Sequence, residues 1–140
     1  MTDRRFPTLL LAVLLLSSCS IGGSGRGETE DRYTPVPDQQ LYSKVAALPG
    51  VEKADLSFTD AVPDYAHVGE IDIAPDADAQ LVLDTIYAIL RQGRFDAAIN
   101  VVGYQSNRAV KLEALPDAGG PDELRKRYGP QPGDGTPPGD

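Results

Sequence analysis

Cysteine occurs once in these 140 residues, at Cys19; histidine occurs once, at His67, and tryptophan is absent. One cysteine excludes an internal disulfide, and a single Cys with a single His cannot furnish a zinc or copper centre. With no Trp, 3 Phe and 6 Tyr, the chain lacks the aromatic platform expected of a sugar binder. Basic residues are also scarce: 13 Lys and Arg stand against 21 Asp and Glu, a net charge of −8. Such a surface repels phosphate backbones and anionic headgroups, which argues against nucleic-acid binding and against adsorption through a basic patch. Long apolar runs are missing too. The longest, Leu9 to Leu16, would rise roughly 12 Å as a helix, far short of the ~30 Å hydrocarbon core. Neither a phosphate loop, a dinucleotide fingerprint nor a G-x-S-x-G elbow is present, and no paired-carboxylate motif stands out.

What is present begins with an address. Asp3, Arg4 and Arg5 precede the apolar run, the pattern of an export signal rather than of a spanning helix. The run ends in Leu16-Ser17-Ser18-Cys19: an aliphatic residue, two small ones, then the cysteine. This resembles the lipobox of bacterial lipoproteins and covers about the first 20 residues. The resemblance implies cleavage before Cys19, a diacylglycerol thioether on its sulfur, and display on the outer face of a cell membrane. A lone thiol in an exported protein is otherwise odd. Each buried CH₂ contributes about 0.8 kcal/mol, so two acyl chains hold without help from the protein surface. Cleavage would remove Asp3, Arg4 and Arg5, leaving 11 basic and 20 acidic residues, net −9.

Composition divides the rest. Residues 1–18 read as signal peptide and 19–37 as a lipidated tether, in which Gly22 to Gly27 and the acidic Glu28 to Asp31 give no apolar period. Its 18 residues after Cys19 have an r.m.s. reach of roughly 21–25 Å. Residues 129–140, GPQPGDGTPPGD, carry no apolar side chain beyond proline and are expected to be disordered. That leaves 38–128 as one small domain.

Within it, Asp38 is placed to cap a helix whose apolar face is Leu41, Val45 and Leu48, stopped by Pro49-Gly50. Val51 to Thr59 alternates as a half-buried strand, with Ala54, Leu56 and Phe58 inward. His67 to Ala74 reads as a second strand, with Ile71 and Ile73 inward and a bulge at Gly69 bringing Val68 inward as well. Asp76 or Asp78 caps a helix to Arg91 or Gln92, with Val82, Ile86 and Ile89 flanked by Leu83 and Leu90. Strands follow over Ala97 to Tyr104 and Arg108 to Leu115, joined at Gln105-Ser106-Asn107. A short terminal helix starts at Pro121. The order α-β-β-α-β-β predicts an α+β fold: a four-stranded, mainly antiparallel sheet with two helices on one face. Asp38-Gln39-Gln40-Leu41 and Asp78-Ala79-Gln80-Leu81 share D-x-Q-L, a pattern that duplication or common capping chemistry explains equally.

Leu48 to Ile73, followed by Asp84 to Arg91, is similar to small uncharacterised lipoproteins of actinobacteria. The element order resembles the bacterial BON-type αβ modules of envelopes, but their glycine pattern is missing, so phospholipid binding is not implied.

Chemistry-bearing residues are few. A Ser–His–Asp reading would need His67 as base, Asp64 beside it and Ser57 or Ser106 as nucleophile; a strand-edge histidine is the plainer reading. Asp72, Asp76 and Asp78 are the best calcium ligands in an acidic middle that also holds Asp60, Asp64 and Glu70, though their spacing fits no EF-hand. Tyr42, Tyr87 and Tyr104 fall at core positions, whereas Tyr65 lies in a loop, where packing onto its own sheet is the plainer reading and an exposed contact role the alternative. No catalytic, metal or cofactor residue is assigned, and lipidation of Cys19 is the one site. The expected protein is a membrane-anchored, non-enzymatic interaction module whose partner is another envelope protein. A small-ligand or calcium-binding lipoprotein and an envelope hydrolase are the alternatives.

Overall fold

Asp78 starts the helix that organises the domain. Its Oδ1 accepts the backbone N–H groups of Gln80 (3.0 Å) and Leu81 (3.1 Å), an N-cap that satisfies two orphan donors. The helix, α2, spans Ala79–Leu90 and buries Val82, Leu83, Ile86, Tyr87, Ile89 and Leu90. A computed structural model describes residues 33–61, 63–115 and 119–139; Cys19, its lipobox and the apolar run before it lie outside them.

The preceding helix, α1 (Asp38–Ala46), sets Leu41 and Val45 against the same core. Its cap differs from expectation. Pro37 is the N-cap, and its carbonyl receives the N–H groups of Gln40 and Leu41. Asp38 is the first helical residue, where its side chain cannot fold back to cap and instead bonds Arg94. The shared D-x-Q-L therefore serves two different jobs. Gly50, in the left-handed region at φ +84°, turns the chain into the first strand.

Strand β1 (Val51–Thr59) pairs antiparallel with β2 (Ala66–Ile73), β2 pairs parallel with β3 (Ala98–Gln105), and β3 pairs antiparallel with β4 (Arg108–Val110). The sheet order is β1-β2-β3-β4, so two of the three pairings are antiparallel and the α+β expectation holds. The parallel step in the middle follows from α2, which carries the chain from the end of β2 back to the start of β3.

Two local expectations are corrected. Gly69 carries no bulge: it pairs with Leu56 in unbroken register, and the irregularity lies between Val51 and Lys53 instead. Gly69 is needed for closeness, because a Cβ there would stand 2.0 Å from the Asp55 carbonyl oxygen. With the period of two uninterrupted, His67 falls on the core face with Ile71 and Ile73, and Val68 on the other. The last strand is short. After Val110 the Gln80 amide brackets the chain, donating to the Lys111 carbonyl (3.0 Å) and accepting from the Glu113 N–H (2.9 Å). Leu112 and Leu115 then turn into the core at a spacing of three, not two.

Helix α3 (Pro121–Tyr128) seats Leu124 in the core. The flanks of the domain are also held. The last turn of α2 is closed by its own successors, Arg91, Gln92 and Gly93 donating to Tyr87 O, Ile89 O and Leu90 O. The carbonyls of residues 91–94 just beyond it take their donors from neighbouring segments. Gln92 O receives the Val36 N–H (2.9 Å) and the Tyr33 hydroxyl (2.6 Å), and Gly93 O receives the same hydroxyl. Gln131 Nε2 donates to Arg91 O (2.8 Å) and Arg94 O (3.1 Å). Composition placed Tyr33–Pro37 in a flexible tether and Gln131 in a disordered tail; the carbonyls of residues 91–94, just after α2, bind both to the domain.

Candidate functional site

His67 is the residue on which an enzymatic reading would turn, and its position removes the roles that reading needs. It is 0 % exposed, with its ring edge-on to Tyr42 and Phe58. Nδ1 lies 3.0 Å from the Tyr42 hydroxyl, and Nε2 has no partner. Burial, the largest cause, drives its pKa down to about 4, so it is neutral at physiological pH. The same burial pushes Tyr42 up to about 12. Phe58 is the residue opposite His67, which leaves Ser57 on the other face of the sheet. His67 pairs with Ile99, seven residues from Ser106, so that hydroxyl is roughly 23 Å away along the strands. Asp64 is exposed and makes no side-chain bond to the imidazole. The proposed Ser–His–Asp grouping is not assembled.

The acidic middle is likewise dispersed. Asp72 stands on the sheet face away from the helices, Asp76 lies in the turn before α2, and Asp78 is occupied as the cap. Among the described residues no three His, Cys, Asp or Glu side chains converge on one point.

What the fold does assemble lies just outside His67. Arg94, in the loop after α2, stacks its guanidinium 4.0 Å from the centre of the Phe58 ring. Its Nε and Nη2 both donate to Asp38 Oδ2, at 3.1 and 2.9 Å. Tyr65, 43 % exposed, meets the same Phe58 edge-on, with centroids 4.9 Å apart. Arg94, Asp38 and Tyr65, with Tyr33, Val36 and Phe95, line an open groove of about 410 Å³. From the core outward the order is His67, Phe58, then the Arg94–Asp38 pair. Both Arg94 bonds to the carboxylate fall on one oxygen, and Asp38 first and Tyr65 after it stabilise the guanidinium and raise its pKa. The groove offers aromatic edges and one polar pair.

Tyr65 was legible as an exposed loop residue, and its ring packs onto its own sheet at Phe58. Arg94 and Asp38 were not legible, being 56 positions apart with no local pattern to join them.

Two further polar clusters brace the helices. Asp84, 7 % exposed on α2, accepts from Arg127 and from the Tyr128 hydroxyl of α3. Arg91, 2 % exposed, donates through Nη2 to Gly129 O (2.6 Å), while Nε and Nη1 have no partner. Burial is the main reason its pKa is lowered.

No helix among the described residues is long and apolar enough to cross a membrane. Compared with protein-family models, with curated proteins and with solved structures, the chain matches none.

Proposed function

We propose that this chain is a bacterial lipoprotein: an exported precursor, lipidated on Cys19, that displays a small non-enzymatic interaction domain on the outer face of a cell membrane. The observation that carries the reading is Leu16-Ser17-Ser18-Cys19 directly after an eight-residue apolar run, in a chain with no other cysteine. The domain is compatible with that role. Its one imidazole is sealed from solvent, and its accessible groove presents aromatic rings and an ion pair.

Tyr33 limits how far the domain can stand from a lipid on Cys19. Its hydroxyl ties the chain to the end of α2 beside the groove, so 13 residues separate it from Cys19. Their contour is at most about 43–47 Å. On this reading the groove stays within about that distance of the lipid, which supports another envelope protein as its partner.

The test is the intact mass of the protein purified from its native membrane. A diacylated chain beginning at Cys19, and loss of the Cys19→Ser variant from the membrane fraction, are expected. An unmodified thiol at position 19 overturns the anchor. For the interaction, a photo-crosslinking residue at Tyr65 should capture a defined protein in living cells, and one at Glu113 should not. Equal capture at both positions removes the groove as the contact.

A further inference from the structure

Both long helices pack on one face of the sheet, and the opposite face carries neither. Strand register fixes what that face presents. Ser57, Val68 and Asn100 form one row across β1, β2 and β3; Asp55, Glu70 and Val102 form the next; Lys53, Asp72 and Tyr104 form the third. The rows are half-buried at Val68, Val102 and Tyr104 and exposed at the other six positions. Val68, Val102 and Tyr104 make an apolar diagonal across β2 and β3, bordered by carboxylates.

The charges are arranged unfavourably for an isolated domain. Asp55 stands directly opposite Glu70 in the antiparallel β1–β2 pair, where side chains begin only about 4.5–5.5 Å apart and like charges destabilise. Lys53 is the one cation in these three rows, and its own cross-strand partner is Asp72. Every ion pair among the described residues lies elsewhere: Arg94–Asp38, Arg125–Asp96, Arg125–Asp122 and Arg127–Asp84. Nothing within the described chain neutralises Asp55 and Glu70 together.

We propose that the helix-free face of the sheet is a second docking surface, which takes a basic, partly apolar segment of another protein. A Lys or Arg of that segment would sit between Asp55 and Glu70. An apolar neighbour two residues along, at strand spacing, would cover Val102 and Tyr104. The partner's charge follows from complementarity: a cation removes a like-charge contact that the free domain carries, whereas an acidic segment adds to it. The proposal extends the interaction-module reading and does not depend on the lipid anchor, since it rests on the sheet alone.

The experiment uses the full-length protein in detergent micelles and two synthetic peptides, acetyl-Lys-Thr-Val-Thr-Lys-amide, which sets Lys and Val two residues apart on one strand face, and its counterpart with Glu in place of Lys. Amide chemical shifts report where each one binds. The Lys peptide should perturb Glu70, Val102 and Tyr104, and doubling the salt concentration should weaken it. Glu70→Gln relieves the like-charge pair without enlarging the side chain and should weaken binding about three- to tenfold. Glu113→Gln, which removes the same charge off this face, should change it less than twofold. Perturbations spread evenly over the acidic surface, equal losses in the two variants, or binding of the Glu peptide at the same residues would each overturn the proposal. A protein without acyl chains that still passes this test would refute the anchor alone.

Discussion

The Tyr42 hydroxyl and His67 Nδ1 lie 3.0 Å apart inside a shell of apolar and aromatic side chains, and that contact decides what the only histidine can do. Facing Tyr42 on one side and Phe58 on the other, the imidazole is a packing residue with one hydrogen bond. Leu41 and Gly93 close over it: a Cβ on Gly93 would approach both the Leu41 side chain and His67 Nε2.

A pH dependence follows. The folded pKa of about 4 lies below the ordinary 6.5, because burial penalises the imidazolium. Between those values the unfolded chain binds a proton that the folded chain excludes, so stability rises with pH across this window and is lost as pH falls through it. The full shift is worth about 3 kcal/mol. Urea unfolding at pH 7.0 and at pH 4.5 should show a loss of roughly 2–3 kcal/mol beyond that of a His67→Phe variant, in which the titrating group is gone. Parallel pH profiles for the two proteins would show that His67 does not carry the effect.

The Asp84 cluster gives a second prediction. Asp84 accepts two bonds from Arg127 and one from the Tyr128 hydroxyl while nearly out of solvent. Asp84→Ala strands both partners at the α2–α3 contact and should cost about 2–4 kcal/mol, discounted from a fully buried pair because Arg127 keeps some solvent access. Tyr128→Phe removes a single bond and should cost about 1 kcal/mol. If α3 detaches as a unit, hydrogen exchange over 121–128 will accelerate in Asp84→Ala before the sheet amides respond.

Gly69 is where shape decides. At φ +152°, with a Cβ destined for the Asp55 carbonyl oxygen, the position admits no larger residue without separating β1 from β2. Gly69→Ala should lower stability by about 3 kcal/mol, measured as a fall in denaturation midpoint. The cost should track strand separation, so β1 and β2 amides lose exchange protection while those of α2 and β3 keep most of theirs.

The sequence makes β1, α2 and α3 legible because each carries its own period and stop signal: alternation in Val51–Thr59, the Asp78 cap, Pro121 as first helical residue. Positions that depend on partners far along the chain were hidden. Gly69 in a strand suggested a bulge, since a glycine's reason for being there lies in the neighbouring strand, here at Asp55. That one misreading turned Val68 toward the core, because a slip of one residue exchanges the faces of a strand. Leu112 and Leu115 extended an apparent strand because apolar spacing alone does not show where Gln80 ends the ladder. The groove was half legible. Tyr65 sits beside Pro63 in an obvious loop, but Arg94 and Asp38 meet only once α1 and the end of α2 are folded together. Cys19 was the clearest signal in the sequence and lies outside the described residues.

The C-terminal segment separates a compositional argument from a physical one most sharply. By composition, 129–140 has nothing to bury, and its removal should leave stability unchanged. By hydrogen bonding, Gln131 closes the end of α2: its amide donates to Arg91 O and Arg94 O, and its carbonyl oxygen accepts the Asp96 N–H at 2.9 Å. Gly129 O holds the otherwise unpartnered Arg91, and Gly133 O receives the Gln92 side chain. Three bonds at about 1 kcal/mol each, partly replaced by water when broken, give about 1–2 kcal/mol for Gln131→Ala. Deleting 130–140 should cost slightly more, because Gln92 also loses its partner, and should speed exchange at Arg94 and Asp96. Gln131→Glu distinguishes the donor side from the acceptor side: it retains an acceptor for Asp96 but presents oxygen where Arg91 O and Arg94 O need a donor. It should therefore be at least as damaging as alanine at pH 7 and recover part of the loss at pH 4, where the carboxyl is protonated. A truncation that melts with the full chain would place the domain boundary at Tyr128 after all.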